Sequence, residues 1–148
     1  MPVEDKGQLP KLAFDAEITA GIHAEEGAVA HGDGVTNADI GMFHEFGYGP
    51  PKRSWLRAYF DENESRLGAA FEDAIADAIV SGRDVEHALR RIAAMIEGEI
   101  KERIYASIPP EPSKPVKEAR GESAVPLIDT GQLISAIRAE VQLRFRIE

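Results

Sequence analysis

The two ends of the chain both carry the alternating pattern of a half-buried β-strand, and this constrains the fold more than any other feature. From residue 12 to residue 24 apolar side chains recur at every second position, with polar side chains between them. From Ile137 to Ile147 apolar residues again alternate with polar and charged ones. A period of two is typical of a strand with one buried face and one solvated face.

The solvated faces of these two segments differ in charge. The first presents Asp15 and Glu17, whereas the last presents Arg138, Arg144 and Arg146. Opposite charges on paired strands contribute a few tenths to about 1 kcal/mol. We therefore predict that the terminal segments form one antiparallel sheet, either within one chain or between subunits.

The middle of the chain has helical periodicity. Thr36 and Asp39 have the spacing of a capping box, which predicts a short helix from there to Phe46 that ends at Gly47. Two longer helices follow: one is capped by Ser54 and ends at residues 81–82, and the other covers residues 85–107. The link between them is short, so they should be antiparallel neighbours. The sequence predicts one α+β domain, residues 1–148, with a small antiparallel sheet from the N- and C-terminal strands on a long antiparallel helical hairpin.

Two segments are predicted to lack regular structure. Residues 1–11 are interpreted as an N-terminal arm. Residues 109–126 hold five prolines and are predicted to be a loop or extended arm, without helix or strand. Long irregular segments usually carry a function, so we expect this chain or a partner to hold the proline-rich arm. A short helical turn at residues 132–135, capped by Asp129 or Thr130, should lead into the last strand.

The charge and composition of the chain exclude several classes of function. Residues 1–80 carry 15 acids and 6 bases, and residues 81–148 carry 11 of each, for a net charge of −9 over 148 residues. An acidic chain lacks the basic footprint that grips phosphates, so specific DNA binding is not expected. With no cysteine, no signal-peptide pattern and no long apolar run, we expect a soluble protein made in a cytoplasm, without disulfides.

One triplet of residues matches a catalytic motif and also has a structural interpretation. The triplet Asp129-Thr130-Gly131 matches the active site of aspartic proteases, in which two such aspartates meet and share a proton. That fold needs most of a β-domain after the triplet, whereas only 17 residues follow it here. The simpler interpretation is a capped glycine turn. A hydrolase that uses Asp129 stays open as the less favoured reading.

Metal and cofactor sites are not expected. His44-Glu45 begins like a zinc-protease helix, but Tyr48 stands where the second histidine ligand would be. The four histidines have no metal-ligand spacing. We interpret His44 as a hydrogen-bonded packing residue.

Two stretches resemble the virion-morphogenesis or tail-completion proteins of tailed bacteriophages, including Mu-like phages. The first runs from Ile40 to Gly47 and resumes from Pro50 to Arg57, and the second runs from Pro126 to Leu133. The matching residues are His44, Glu45, Phe46, Gly47, Pro51, Arg53, Trp55, Leu56 and Arg57, followed by Leu127, Ile128, Asp129, Thr130, Gly131 and Leu133. Their order and the helical pair between them add to the resemblance, while Met42 departs from it where a small residue is common.

The resemblance implies a structural protein and not an enzyme. It implies a neck or tail-completion component that joins tail to head in a homo-oligomeric ring, with six copies expected around the DNA channel. Its expected partners are its own copies, the tail tube or terminator and the head-connector proteins, while DNA passes without specific binding. The expected location is the virion neck, after synthesis in the host cytoplasm. A tail terminator, a head-side connector adaptor and a small regulatory binding domain are the alternatives.

Structural roles are expected for the first motif. Phe46 should anchor its helix in the core, and Gly47 should end that helix where a side chain would clash. Pro51 should fix the approach to Ser54, while Trp55 and Leu56 hold the start of the next helix. Arg53 and Arg57 are expected either in ion pairs at a subunit interface or in solvent.

Overall fold

A computed structural model gives the fold for residues 12–128 and 131–147. The predicted N-terminal arm, residues 1–11, lies outside these described residues. The elements in chain order are β1 Leu12–Ile22, α1 Ala24–Gly27, α2 Asn37–Phe46, α3 Arg57–Ser81, α4 Val85–Tyr105, α5 Lys114–Arg120, α6 Gln132–Ser135 and β2 Ile137–Ile147. The α+β architecture agrees with the sequence-based prediction.

The two terminal segments pair within one chain. β1 and β2 form a two-stranded antiparallel sheet along their whole length, which confirms the predicted pairing. Asp15 lies opposite Arg144, and its carboxylate accepts a hydrogen bond from Arg146 at 2.9 Å. The acidic face of one strand therefore meets the basic face of the other.

The turn of the helical hairpin has a glycine that ends the first helix and an aspartate that caps the second. Gly82 ends α3 in the left-handed region at φ 68°, and Asp84 caps α4 by accepting the Glu86 amide at 2.9 Å. Glu62 of α3 binds Arg103 of α4 at 2.7 Å, far from the turn, as antiparallel helices require. α4 packs against both strands and against α3, so it forms the centre of the molecule.

The core lies between α4, the sheet and the segments on either side of the hairpin. One stripe of α4 is buried almost completely, and Ile137 at the start of β2 is fully buried against it. The buried apolar side chains of this core include Trp55, Tyr59, Leu67, Ile96, Ile100, Ile104, Leu127, Leu133, Ile134 and Ile137. The sheet and both motif segments therefore share one core with the hairpin.

The proline-rich arm contains a helix, so the prediction that it lacks helix and strand is wrong. α5 covers seven residues, with Ser113 at the N-cap and Pro115 in the first turn. Proline suits that position because the first turn has no intrahelical partner for its missing N–H, and because its fixed φ matches a helix. β1 also ends at Ile22, two residues before the alternation does, because the chain turns there into α1.

The short helix α2 has the predicted caps. Thr36 Oγ1 accepts the Asp39 amide at 3.1 Å, and the Asp39 carboxylate accepts the Thr36 amide at 3.0 Å, as in a capping box. Gly47 follows in the left-handed region at φ 78°. A Cβ at Gly47 would lie 3.0 Å from Lys52 Cβ, so glycine is required there both by conformation and by space.

We predict opposite effects for two helix glycines. Gly41→Ala should lower the free energy of unfolding by about 1 kcal/mol, because overpacking outweighs the better helix propensity of alanine. The added Cβ would lie 2.9 Å from Ile22 Cδ1 and 3.1 Å from Trp55 Cζ2. The matched control Gly98→Ala, an exposed α4 position with nothing within 4 Å, should raise it by about 1 kcal/mol. Urea unfolding measures both, and equal effects would contradict the packing around Gly41.

Candidate functional site

The two motif segments, far apart in sequence, meet around one cavity. The cavity has a volume of about 850 Å³ and lies between α2, the loop after it, the proline-rich arm and the segment that leads into α6. His44, Arg53, Leu127 and Leu133 line it from the motif segments, and Pro110 and Val116 line it from the arm. We call the cavity that these six residues help to line the motif cavity.

Glu45 joins α2 to the start of α3. Its Oε1 accepts hydrogen bonds from Ser54 Oγ at 2.7 Å and from the Arg57 amide at 3.1 Å, and its Oε2 accepts the Leu56 amide at 3.0 Å. Ser54 Oγ in turn accepts the Ala58 amide of the first turn at 3.0 Å, although Leu56, and not Ser54 as predicted, occupies the N-cap position. Glu45 is 8% exposed, and its carboxylate lies at the N-terminal end of α3, where negative charge is favourable. Glu45 is therefore a long-range cap of α3.

Trp55 also connects α2 to the start of α3. Its indole Nε1 donates to the Gly41 carbonyl of α2 at 2.9 Å, and the side chain is 3% exposed. A Cβ on Gly41 would also lie 3.7 Å from Leu133, so the first motif packs on the second. Leu56, the N-cap residue of α3, is half-buried beside this core. The expected role of Trp55 and Leu56 at the start of α3 agrees with this packing.

Arg53 binds the proline-rich arm, so both predictions for it, an ion pair at a subunit interface and exposure to solvent, are wrong. The residue is 5% exposed, so it is neither solvated nor free for an ion pair at a subunit interface. Its Nε and Nη2 donate to the Pro110 carbonyl at 2.9 and 2.7 Å, and Nη2 also donates to the Glu111 carbonyl at 3.3 Å. The planar guanidinium suits such adjacent acceptors. The arm is thus held by its own chain.

We predict that Arg53→Leu releases the arm while the hairpin stays folded. Charged donors to carbonyls contribute about 1.5–3 kcal/mol, so tryptic cleavage after Lys117 and Arg120 should accelerate about tenfold or more. Arg57→Leu, which changes an exposed arginine, is the matched control and should leave these cleavage rates unchanged. Mass spectrometry of timed digests measures the rates, and an unchanged arm in Arg53→Leu would contradict this role.

His44 differs from its expected role as a hydrogen-bonded packing residue. Its Nδ1 is buried, and no group within the described residues hydrogen-bonds to it. Burial, and then the positive charges of Arg53 and Arg120, lower the pKa of His44 to about 4. The imidazole is therefore neutral at physiological pH and lines the motif cavity as a weakly polar surface.

Phe46 is not in the core, which corrects a second expectation. Its side chain is 48% exposed, because it lies on the outer face of α2. The Arg57 guanidinium lies 5.9 Å from its ring centroid, and the centroid of the Tyr48 ring also lies 5.9 Å from it. Arg57 is thus a surface residue over an aromatic ring, and Pro51 is also exposed. These residues form an external aromatic patch next to the motif cavity.

The second motif is described only in part. Leu127 is buried with φ 67°, and Ile128 packs against the core. Gly131, at φ 79°, occupies the N-cap position of α6, which the sequence assigned to Asp129 or Thr130. Asp129 and Thr130 lie outside the described residues. The hypothesis that Asp129 is catalytic therefore concerns a residue that the structure does not describe.

The described part of the chain has neither a metal-ligand cluster nor a membrane-spanning helix. Within residues 12–128 and 131–147, no group of three or more histidines and carboxylates is arranged to hold a metal ion. None of the helices described there is long and apolar enough to cross a membrane. The chain was also compared with family models, with curated proteins and with solved structures, and none of them matches it.

Proposed function

We propose that this chain is a structural virion protein of a tailed bacteriophage, which completes the top of the tail and joins it to the head as a subunit of a ring around the DNA channel. The observation that carries the proposal is the role of Glu45. Its carboxylate, the acidic group of the first motif, accepts three hydrogen bonds and joins the end of α2 to the start of α3. A motif used in this way specifies shape, as an assembly protein requires.

The distribution of exposed apolar side chains supports contacts on several sides. Val80 at the tip of the hairpin is 88% exposed, Ile147 at the end of the sheet is 79% exposed, and Tyr48 beside the motif cavity is 61% exposed. A neighbouring protein at each of these places would remove apolar surface from water. A ring subunit in a neck has neighbours beside it, above it and below it.

The charge of the chain is compatible with a channel. The net charge of −9 gives DNA no basic surface to which it would adhere during passage. The resemblance of the two motif segments to tail-completion proteins supplies the specific role.

Deletion of the gene from the phage or prophage that carries it tests the proposal. Electron microscopy of the resulting lysate should show full heads and separate tails that accumulate unjoined, and a plasmid copy of the gene should restore joined virions. A plasmid copy with Glu45→Ala should restore them poorly. Normal virions without the gene would overturn the proposal.

The same material separates tail completion from the two related roles. Purified tails from the deletion lysate should be of normal length and should bind the added protein. Tails of uncontrolled length would favour a tail terminator, because a terminator stops tube growth. Binding to heads in preference to tails would favour a head-side connector adaptor.

A further inference from the structure

The sheet is too narrow to cover the helical hairpin. Two strands span roughly 10 Å, whereas two packed helices span roughly 20 Å. α4 lies under both strands, and α3 lies to the side, next to β1. Between them is an open groove of about 500 Å³, lined by Ile18 of β1 and by apolar residues of the two helices such as Phe60, Phe71 and Ile92. We call this the α3 groove; one more strand beside β1 would cover it.

The outer edge of β1 has backbone groups ready for such a strand. The Ala139 amide of β2 donates to Glu97 Oε2 at 3.0 Å, and so points away from β1. In an antiparallel pair, residues directly opposite each other point their amides either both inward or both outward, and the two cases alternate along the strands. From the register, the amides of Phe14, Ala16 and Ile18 therefore point outward from the other edge of the sheet. In the part of the chain that the structure describes, no hydrogen bond reaches these amides.

The outer edge of β2 offers the matching strand. Glu97 blocks this edge only near Ala139, and the edge continues beyond it to Ile147. Phe145 and Ile147 lie on the same face of the sheet as the core residue Ile137, yet they are 66% and 79% exposed. Phe145 contacts the ring of Phe14 at a centroid distance of 6.2 Å. This end of β2 is thus an apolar strand that extends beyond its own core.

Charge decides which edges can meet. Contact between two β1 edges would bring Asp15 and Glu17 close to their own copies, and contact between two β2 edges would do the same for Arg144 and Arg146. Like charges on neighbouring strands are destabilising, and opposite charges are stabilising. A strand with arginines on its solvated face is therefore favoured beside Asp15 and Glu17, so the edge of β1 should pair with the edge of β2.

We propose that the occupant of the α3 groove is β2 of a second copy of this chain, added antiparallel to the outer edge of β1. The pairing continues the sheet from copy to copy and buries the second copy's Phe145 and Ile147 against the groove. It uses a different edge on each subunit, so it is a head-to-tail contact, the kind that closes into a ring. This inference rests on the ring in the proposed function and assigns the surfaces that build it.

The absence of cysteine allows a direct test by single-cysteine variants of the full chain. Glu17→Cys marks β1 and Gln142→Cys marks β2; both positions are exposed and lie opposite each other in the existing ladder. The two variants are mixed and treated with a bis-maleimide that spans roughly 10 Å, which covers a register shift of two residues. Mixed adducts should exceed like-with-like adducts about tenfold, because complementary charges suppress the wrong pairs.

Two controls make the result decisive. Ala94→Cys on the exposed face of α4, mixed with Gln142→Cys, should give only background adducts. Ala16→Pro, added to Glu17→Cys, removes one outward amide at an edge position where proline is tolerated and should abolish the mixed adduct while circular dichroism stays native. Equal yields of all adducts, a yield at the Ala94 background or persistence in Ala16→Pro would overturn the proposal.

The outcome separates this proposal from the proposed function. Mixed adducts together with normal virions after gene deletion would support the edge contact and reject the role in the neck. Background adducts together with unjoined heads and tails would support the role in the neck and reject this contact.

Discussion

Glu45→Ala should lower the free energy of unfolding by about 4 kcal/mol, the largest effect expected from any single substitution in the two motif segments. The change leaves the amides of Leu56 and Arg57 and the hydroxyl of Ser54 without their acceptor in a buried junction. It also removes negative charge from the start of α3. For a domain of this size the melting temperature should fall by about 10 °C, measured by far-ultraviolet circular dichroism.

Two variants serve as controls for this result. Glu45→Gln keeps one carbonyl acceptor and the side-chain shape, so its loss should lie between those of alanine and wild type. Glu102→Ala removes an exposed glutamate from α4 and should change the stability by less than about 0.5 kcal/mol. If Glu45→Ala stays within that range as well, the carboxylate does not cap α3.

The stability of the protein should fall as the pH falls from about 6.5 to about 4, and His44 should cause most of that fall above pH 5. Its pKa is about 4 in the folded chain, against the ordinary 6.5, so the unfolded chain binds the proton first. Folding is then unaffected by His44 above its unfolded pKa and is opposed progressively below it. The whole shift corresponds to about 3 kcal/mol at most, and to about 2 kcal/mol near pH 5, less any screening of the partly exposed ring.

Urea unfolding near pH 7 and near pH 5 measures this effect. Wild type should lose up to about 2 kcal/mol between the two, whereas His44→Phe, which fills similar space and does not titrate, should lose much less. The upper part of the pH range isolates the histidine, because carboxyls whose pKa is lowered by partners, such as Glu99 beside Arg66, lose their contribution only at lower pH. An equal loss in wild type and His44→Phe would assign the pH dependence to another group.

The elements could be predicted because their determinants are local. Alternation marked both strands, Asp84 and Gly82 marked the turn of the hairpin, and the opposite charges of the strands indicated their pairing. The helix in the proline-rich arm was missed because proline in a first helical turn looks the same in sequence as proline in a loop. Only the contacts made in the folded chain distinguish a proline that begins a helix from a proline in a loop.

The junction at Glu45 could not be predicted for a different reason. Its carboxylate oxygens accept backbone amides that lie 11 and 12 residues further along the chain, beyond an irregular loop, and a backbone amide has no sequence signature. Arg53 and Phe46 were assigned to the wrong environments because residue type is a weak guide to burial. Arg53 is buried since carbonyls of the arm satisfy it, and Phe46 is exposed since it lies on the outer face of α2.

The pairing of β1 with β2 has a consequence for synthesis on the ribosome. The hairpin needs only contacts between neighbours in sequence, so α3 and α4 can fold as soon as they emerge, whereas β1 has no strand partner in its own chain until the residues up to 147 are translated. During that interval the apolar side of β1 is open to other nascent chains. Slower translation of the last hundred nucleotides or so should therefore increase aggregation, and a chaperone that binds extended apolar segments should reduce it.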